Sequence, residues 1–594
     1  PPPPPPPPPP HNSLFKTSCT AAVVIGLITH AFAYFNATYF HDRSGMFMPI
    51  LFDSAKRAKW MAQYIDAFTV FAYLPWLFGV LTLIFFVLSV YMIADILEIR
   101  YALNVWLIAG VCITNASVIN AHMYWPHEIL AALPLALASA WLWNKEKLHA
   151  VVRVGVGAVS VSASLACYGA YSSVAPCIVV IALIFALVDG QEWKKLFRRG
   201  IEYIVTFLTG LVFYYIVLRL FLHFQDISLL DYANESRLVD EFPGLFEIVS
   251  LMRQAWYSAV VSFHENAGIR LMLILSISLL VVQTVRQRSK LLPRINMLFM
   301  IFLMVIFPLS VGLIHVMAFG KVHWLMKFTY VMPYIGMVIL LDREEQMMLK
   351  GSDDCKKITS FVVAMLSVLV LIGYTVFMNN INGRLRVICF AVIACAGIYV
   401  VYLWILERFG SEIQEKSAAG NCPKTVEGSV AVFIVLCSLT VLLCVKIYHG
   451  VLTANMAYIQ LDKMDTANKS FVTRLLGRVE SCEGFEGDEI ILLLGDINDN
   501  AYISAEDFTG DSTWDYWDDE IAFGDVKNGL TNTNVLKALM RTDTGCPLSC
   551  QVGPVDIYSS EEQKIIDEMP VYPKEGSVKK IRYTIVVKLS EEQK

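Results

Sequence analysis

The sequence predicts a polytopic α-helical membrane protein of about thirteen transmembrane helices with a C-terminal extracytoplasmic α/β domain. Three observations predict it. Hydrophobic residues make up 56% of the chain and charged residues 17%, against roughly 45–50% apolar content in soluble domains; mean hydropathy is +0.55. Apolar residues recur in windows of about 17–25, the length a helix needs to cross a bilayer. Beyond residue 450 the composition turns acidic.

The ten prolines at positions 1–10 lack N–H donors and can build neither helix interior nor core, so 1–16 is set apart as an N-terminal tail. Lys16 precedes the first apolar run, 17–37. That run is too long for a signal-peptide core and lacks a small-residue cleavage pattern, so it reads as a retained span. Further spans are expected at 71–95, 101–120, 128–143, 151–171, 175–189, 202–224, 269–285, 295–317, 323–341, 358–378, 385–407 and 429–449. Together they make a membrane domain over 17–449.

Basic residues set the orientation. Lys194, Lys195, Arg198 and Arg199 fill one loop, and Arg286, Arg288, Lys290 and Arg294 fill another. Lys145, Lys147, Lys350, Lys356, Lys357 and Lys416 fall on the same side. A cytoplasmic N-terminus satisfies all of them, and an odd number of spans then puts residues 450–594 outside.

That tail holds 14 Lys plus Arg against 26 Asp plus Glu, a net of −12, whereas the preceding residues sum to +7. Runs at 489–495 and 581–587 read as strands, and 463–479 as helix. Ten of the thirteen cysteines lie in or between the apolar segments, where thiols serve as packing groups. Cys546 and Cys550 are spaced to close a small disulfide, and no metal is expected there. Asp496 to Asp507 has the oxygen ligands of a calcium loop but Ala501 where the turn needs glycine, so a polar loop is the expectation. Trp514 to Asp519 interleaves aromatic faces with acids, a surface able to stack on sugar rings or to pack as a domain edge.

Two loops on the outer side, 38–70 and 225–268, are too long to be simple connectors. Each contains an amphipathic stretch, at 50–68 and around Leu245 to Val260, suited to lying in the interface. The first carries Lys56, Arg57 and Lys59, positive charge on the side that should lack it, which fits contact with an anion.

The first span runs directly into His41-Asp42-Arg43. Ionisable groups at membrane depth are costly and usually functional. The approach Ala33-Tyr-Phe-Asn-Ala-Thr-Tyr-Phe-His41-Asp42 is followed by Ala58-Lys59-Trp60 and then by Pro75-Trp76-Leu-Phe-Gly79. His323-Trp-Leu-Met326, Tyr572-Pro-Lys-Glu-Gly-Ser-Val578 and Ile585-Val-Val-Lys-Leu589 complete the pattern. In these passages the chain resembles the family II glucosyltransferases, which include serotype-converting O-antigen glucosyltransferases, within the GT-C class. It departs from the family where His41-Asp42 replaces an acidic pair and Lys59 replaces an arginine.

The resemblance implies an inverting, metal-independent enzyme. It would move a hexose, glucose by preference, from a polyprenyl-phosphate donor to a surface glycan or glycolipid acceptor outside a bacterial cytoplasmic membrane. Membrane lipid is then a partner, and neither nucleic acid nor a cofactor is expected. Transfer needs a base for the acceptor hydroxyl and cations for the leaving phosphate. Asp42 is the expected base, with His41, Arg43, Lys59 and Trp60 binding substrate.

The turn Asn120-Ala-His122-Met-Tyr124-Trp125-Pro-His127-Glu128 crowds two histidines, two aromatics and a carboxylate. The resemblance makes Glu128 a second catalytic acid, with His122 and His127 at the substrate; an interfacial aromatic belt is the alternative. A zinc site from His122, His127 and Glu128 is not expected, since no fourth ligand is evident. His323 and Lys327, four apart, would share one helix face towards lipid phosphate. The competing function, a transporter or flippase of lipid-linked glycans, would show repeated halves with broken helices. No repeat is present. A receptor would need a cytoplasmic output module, and the expected internal loops are short.

Overall fold

A computed structural model describes residues 11–36, 56–68, 74–229, 244–261, 267–286, 294–320, 322–348, 426–495, 500, 540, 545–546, 548–552 and 558–591. The described chain is mostly helical, with one small sheet. In chain order the helices are α1 (His11–Phe35), α2 (Ala62–Phe68), α3 (Pro75–Ile96), α4 (Ala102–Ile113), α5 (Ala116–Met123), α6 (Pro126–Asn144), α7 (Ala150–Tyr168), α8 (Val174–Val188), α9 (Trp193–Gln225), α10 (Leu245–Val261), α11 (Ala267–Arg286), α12 (Arg294–Val311), α13 (Leu313–Met317), α14 (Met332–Met348), α15 (Val426–Glu480) and α16 (Ser560–Asp567).

Among the described residues, five helical runs are long and apolar enough to cross a membrane: 13–35, 75–96, 150–188, 193–225 and 435–480. α4 and α5 together make a sixth, bent by 50°. The bend has a local cause. Asn115 leaves the helical path and its side chain accepts from Val118 N, capping a new helix start. Helix α15 lies close against this break, since a Cβ on Gly450 would fall 2.1 Å from the Thr114 carbonyl oxygen.

Side-chain contacts fix how the helices run. Phe15 meets Tyr91, and Tyr34 meets Thr82, so α1 and α3 are antiparallel. His127 meets Phe78, and Trp141 meets Asp95, so α6 runs parallel to α3. Arg153 pairs with Glu202, while a Cβ on Gly210 would press on Val161, so α7 and α9 are parallel. The run 150–188 is 39 residues long; straight, it would span ~58 Å. It cannot be straight, because Arg153 near its start is bound to α9, which begins five residues after its end. The chain turns back at the 3-10 turn Gly169–Ser173, as the expected division into 151–171 and 175–189 requires.

Two rims result. One is ionic: Asp95 binds Lys145 (2.5 Å), Glu146 binds Arg199 (2.7 Å) and Lys195 (3.2 Å), and Asp189 binds Arg343. Asp342 also belongs there, accepting from Arg100 N and Tyr101 N just before α4. The other rim lies at the far end of α6, whose 19 residues extend ~28 Å, about one hydrocarbon thickness. Exposed Ile204, Leu208 and Val212 give α9 an apolar outer face suited to lipid.

Several boundaries differ from expectation. The helix expected at 202–224 begins at Trp193, nine residues earlier, carrying the basic loop into its first turns. The expected span 323–341 opens with 3-10 turns at Trp324–Met326 and Phe328–Val331, and α-helix starts only at Met332. The helix expected at 463–479 is the continuation of the last apolar helix rather than a separate element. Within 225–268 the amphipathic helix is present as α10, with Phe246, Val249 and Tyr257 exposed. The spans expected at 358–378 and 385–407 lie outside the described residues.

The sheet comprises β1 (Ile490–Leu494), β2 (Ser549–Val552), β3 (Val578–Ile581) and β4 (Thr584–Lys588), in the order β2-β1-β4-β3. β1 is parallel to β2 and β4, and β3 is antiparallel to β4. Alternate β1 residues face opposite sides. Ile491 and Leu493 pack with Phe471, Val472, Leu475 and Val479 of α15, while Leu492 and Leu494 pack with Ile566 of α16. Both faces are covered, which explains the unbroken apolar run. Cys546 and Cys550 are separate free thiols, not a disulfide. Asn500, within the loop expected to be polar, donates to Tyr572 O and Leu589 O; 496–499, 501–507 and 514–519 lie outside the described residues.

Candidate active site

At the rim opposite the ionic one, α6 starts with Pro126, whose fixed φ suits a first helical position. His127 and Glu128 follow in the first turn, where a carboxylate is favoured by the helix dipole. The His127 ring lies flat on Phe78, with centroids 3.7 Å apart and planes 6° from parallel. That stacking fixes the ring, and its Nε2 sits 3.0 Å from Asp66 Oδ1.

Asp66 comes from α2, a single short helix held by its surroundings. Met61 N donates to Ala166 O (3.1 Å) and ties the start of α2 to α7. Tyr214 of α9 donates to Ala58 O (2.8 Å), where the chain reverses with φ of +63°. The Asp66 carboxyl neighbours that of Glu128, and Lys59 supplies positive charge close by. One ligand atom from each of Asp66, His127 and Glu128 lies within 4.8 Å of the others. Lys59 Nζ also sits 5.3 Å from the Tyr168 ring centre.

Chemically this is a buried carboxyl beside a half-buried one, an imidazole held in one orientation and a neighbouring ammonium. Two neighbouring carboxyls favour a proton or a cation between them, since adjacent like charges disfavour joint ionisation. Such a group can take up a proton from a hydroxyl or hold a metal ion.

Of the residues singled out in the sequence, the structure brings together Lys59, His127 and Glu128. Trp60 is beside them but turns into an apolar cluster with Leu218, Leu222 and Tyr214. His122 goes elsewhere: it is buried, donates from Nδ1 to Val118 O (2.8 Å) and stacks on His30 of α1. Lys327 Nζ lies 3.6 Å from the Trp324 ring centre, and His323 is exposed. These two do not share an α-helical face, because the chain between them is a 3-10 turn. That turn is held against α5 by Ser117 Oγ, which donates to Leu325 O (2.6 Å). His41, Asp42 and Arg43 lie outside the described residues.

Asp66 was not foreseen. It stands 61 residues from His127, and no spacing rule connects a short amphipathic helix to a later span. The available signal was an acid, the second after Asp53, in a stretch otherwise notable for Lys56, Arg57 and Lys59. The metal-type grouping is therefore made by Asp66 where the sequence offered His122.

Residues 31–340, more than half of the chain, match the family described as Glucosyl transferase GtrII. The chain belongs to this family. The matched region runs from the last turn of α1 to the middle of α14 and includes every member of the carboxylate cluster. Membership in the GtrII glucosyl transferases makes a glycosyl-transferring enzyme the supported activity and bears out the resemblance read in the sequence. No curated protein and no solved structure matches the chain.

Proposed function

We infer that this GtrII-family protein moves a hexose, glucose by preference, from a polyprenyl-phosphate carrier to a surface glycan, on the outer side of a bacterial cytoplasmic membrane. The observation that carries the reading is the Asp66–His127–Glu128 cluster with Lys59 beside it, at the rim opposite the ionic one. Under the positive-inside rule the ionic rim is cytoplasmic, so the cluster faces outward, where a lipid-borne sugar would present its phosphate. This orientation goes with a cytoplasmic N-terminus, thirteen spans and an external sheet over the tail.

In the proposed reaction the acceptor hydroxyl gives its proton to a carboxylate, its oxygen bonds to the anomeric carbon, and the bond from that carbon to the carrier phosphate breaks. The phosphate leaves with the electron pair. Asp42, in the first outer loop, is proposed as the base, with Glu128 as the second catalytic acid. Lys59, together with His41 and Arg43, is proposed to stabilise the phosphate. Trp60, His122, His127, His323 and Lys327 are proposed to shape or line the substrate path, His122 through its packing. A GT-C arrangement accommodates these roles.

The test is incubation of purified protein in nanodiscs with polyprenyl-phosphate glucose and acceptor glycan. Release of free polyprenyl phosphate that depends on the acceptor is expected, and Asp42→Asn should abolish it. No release with any sugar carrier would dismiss the reading, and full activity in Asp42→Asn would dismiss the base.

A further inference from the structure

We propose that Asp66, His127 and Glu128 together bind a divalent transition-metal ion. The role given to that ion below rests on the glycosyl-transfer reading; the binding itself does not.

The geometry fits. Metal–nitrogen and metal–oxygen bonds of about 2.0–2.2 Å place neighbouring ligand atoms about 3 Å apart at right angles, and His127 Nε2 and Asp66 Oδ1 are 3.0 Å apart. The third ligand atom, from Glu128, is within 4.8 Å of both. The His127 ring is already immobilised on Phe78, so binding would cost little further ordering of that side chain. Two carboxylate oxygens and one imidazole suit an ion of intermediate softness such as Mn²⁺ or Zn²⁺.

A second observation comes from α2. Gln63 stands three residues before Asp66 and so on the same helix face. It is 8% exposed, and among the described residues its Oε1 has no hydrogen-bond partner. A buried amide oxygen in that state is costly, and it is the right type of atom for a further ligand.

Charge gives the reason for an ion. With both carboxylates ionised, Lys59 cancels only one of the two, leaving a net negative site that would repel a phosphate. A divalent ion reverses the sign to net positive. Such an ion would set this chain apart from the metal-independent enzyme that the resemblance implies: it would act as a Lewis acid on the leaving phosphate oxygen, held by Asp66, His127 and Glu128 with the Lys59 charge close by.

The test uses full-length protein in nanodiscs, stripped with chelator and titrated with Co²⁺ as a spectroscopic probe. One Co²⁺ per chain with visible d–d absorption is expected, with affinity weakened at least ~100-fold in Asp66→Asn, Glu128→Gln and His127→Gln. Glu146→Gln, on the opposite rim, should leave binding unchanged. Thermal unfolding in chelator checks that each variant is folded, and wild type and Glu146→Gln, but not the three site variants, should gain stability on adding Co²⁺. Absence of bound Co²⁺ in wild type would overturn the proposal in favour of a shared proton. Unchanged binding in folded Asp66→Asn and Glu128→Gln would also overturn it. Co²⁺ bands without sugar transfer would keep the ion site and dismiss the transferase reading; chelator-resistant transfer without bands would do the reverse.

Discussion

His30 and His122 stack face to face, with ring centroids 3.9 Å apart and planes 5° from parallel. The pair joins α1 to α5, and its hydrogen bonds extend the link to α15. His30 Nε2 lies 3.0 Å from Ile113 O, which can only accept, so Nε2 carries the proton. Its Nδ1 therefore accepts from Tyr458 OH at 2.7 Å. Tyr458→Phe removes that donor and leaves a buried acceptor unsatisfied. A loss of about 1–3 kcal/mol in unfolding free energy is expected, and unaltered thermal unfolding of the protein in nanodiscs would contradict it.

Gly210 allows α9 to approach α7. A Cβ there would sit 2.6 Å from Val161 Cβ and 2.9 Å from Ala158 O. Gly210→Ala should therefore destabilise by about 1–3 kcal/mol. Gly155→Ala, on the same α7 with nothing within 4 Å of the added carbon, should be neutral or stabilising by up to ~1 kcal/mol. Equal effects of the two on the unfolding temperature would refute the packing argument.

Glu489 supplies a pH test outside the membrane helices. Lys580 Nζ binds its Oε1 at 2.7 Å, and Glu486 N and Gly487 N donate to the same carboxylate. The lysine hydrogen bond first, and the backbone donors after it, hold its pKa down to about 2. Because the folded value is depressed, this stabilisation is complete above the ordinary carboxylate range of about 4.3. It is lost as pH falls through about 2. Lys580, raised chiefly by Glu489, behaves oppositely: its share is present below about 10.4 and lost as pH rises through its raised value. Hydrogen exchange of β1, β3 and β4 amides in the full chain should lose protection on acidification, and Glu489→Gln should flatten that loss. Identical acid profiles would contradict the linkage.

Lys59 tests the anion side of the site. Losing a charge-assisted contact of about 1.5–3 kcal/mol predicts that Lys59→Gln raises the donor KM ~10- to 100-fold. Lys59→Arg should restore binding to within a few-fold. A fall in kcat alone, with KM untouched, would place Lys59 outside phosphate binding.

Much of the frame was legible from hydropathy, because each span must be apolar over a fixed length. The turn before α6 was legible too, since His127 and Glu128 sit at a Pro-marked helix start beside aromatics. What the sequence could not supply was partnership. His122, five residues before His127, looked like part of the same constellation. Helix α5 ends between them, and one ring turns to His30 while the other turns to Phe78. Asp66 reached the site only through tertiary packing of a seven-residue helix. The 3-10 turns around Lys327 likewise escaped a reading that assumed the 3.6-residue period.

The central claim is that sugar transfer takes place at the carboxylate cluster. Its most direct test is the single-turnover rate of Glu128→Gln with polyprenyl-phosphate glucose and acceptor, beside wild type of matched thermal stability. Loss of an acid–base or ion-holding carboxyl predicts a fall of at least ~100-fold. A folded Glu128→Gln protein transferring at the wild-type rate would contradict the account.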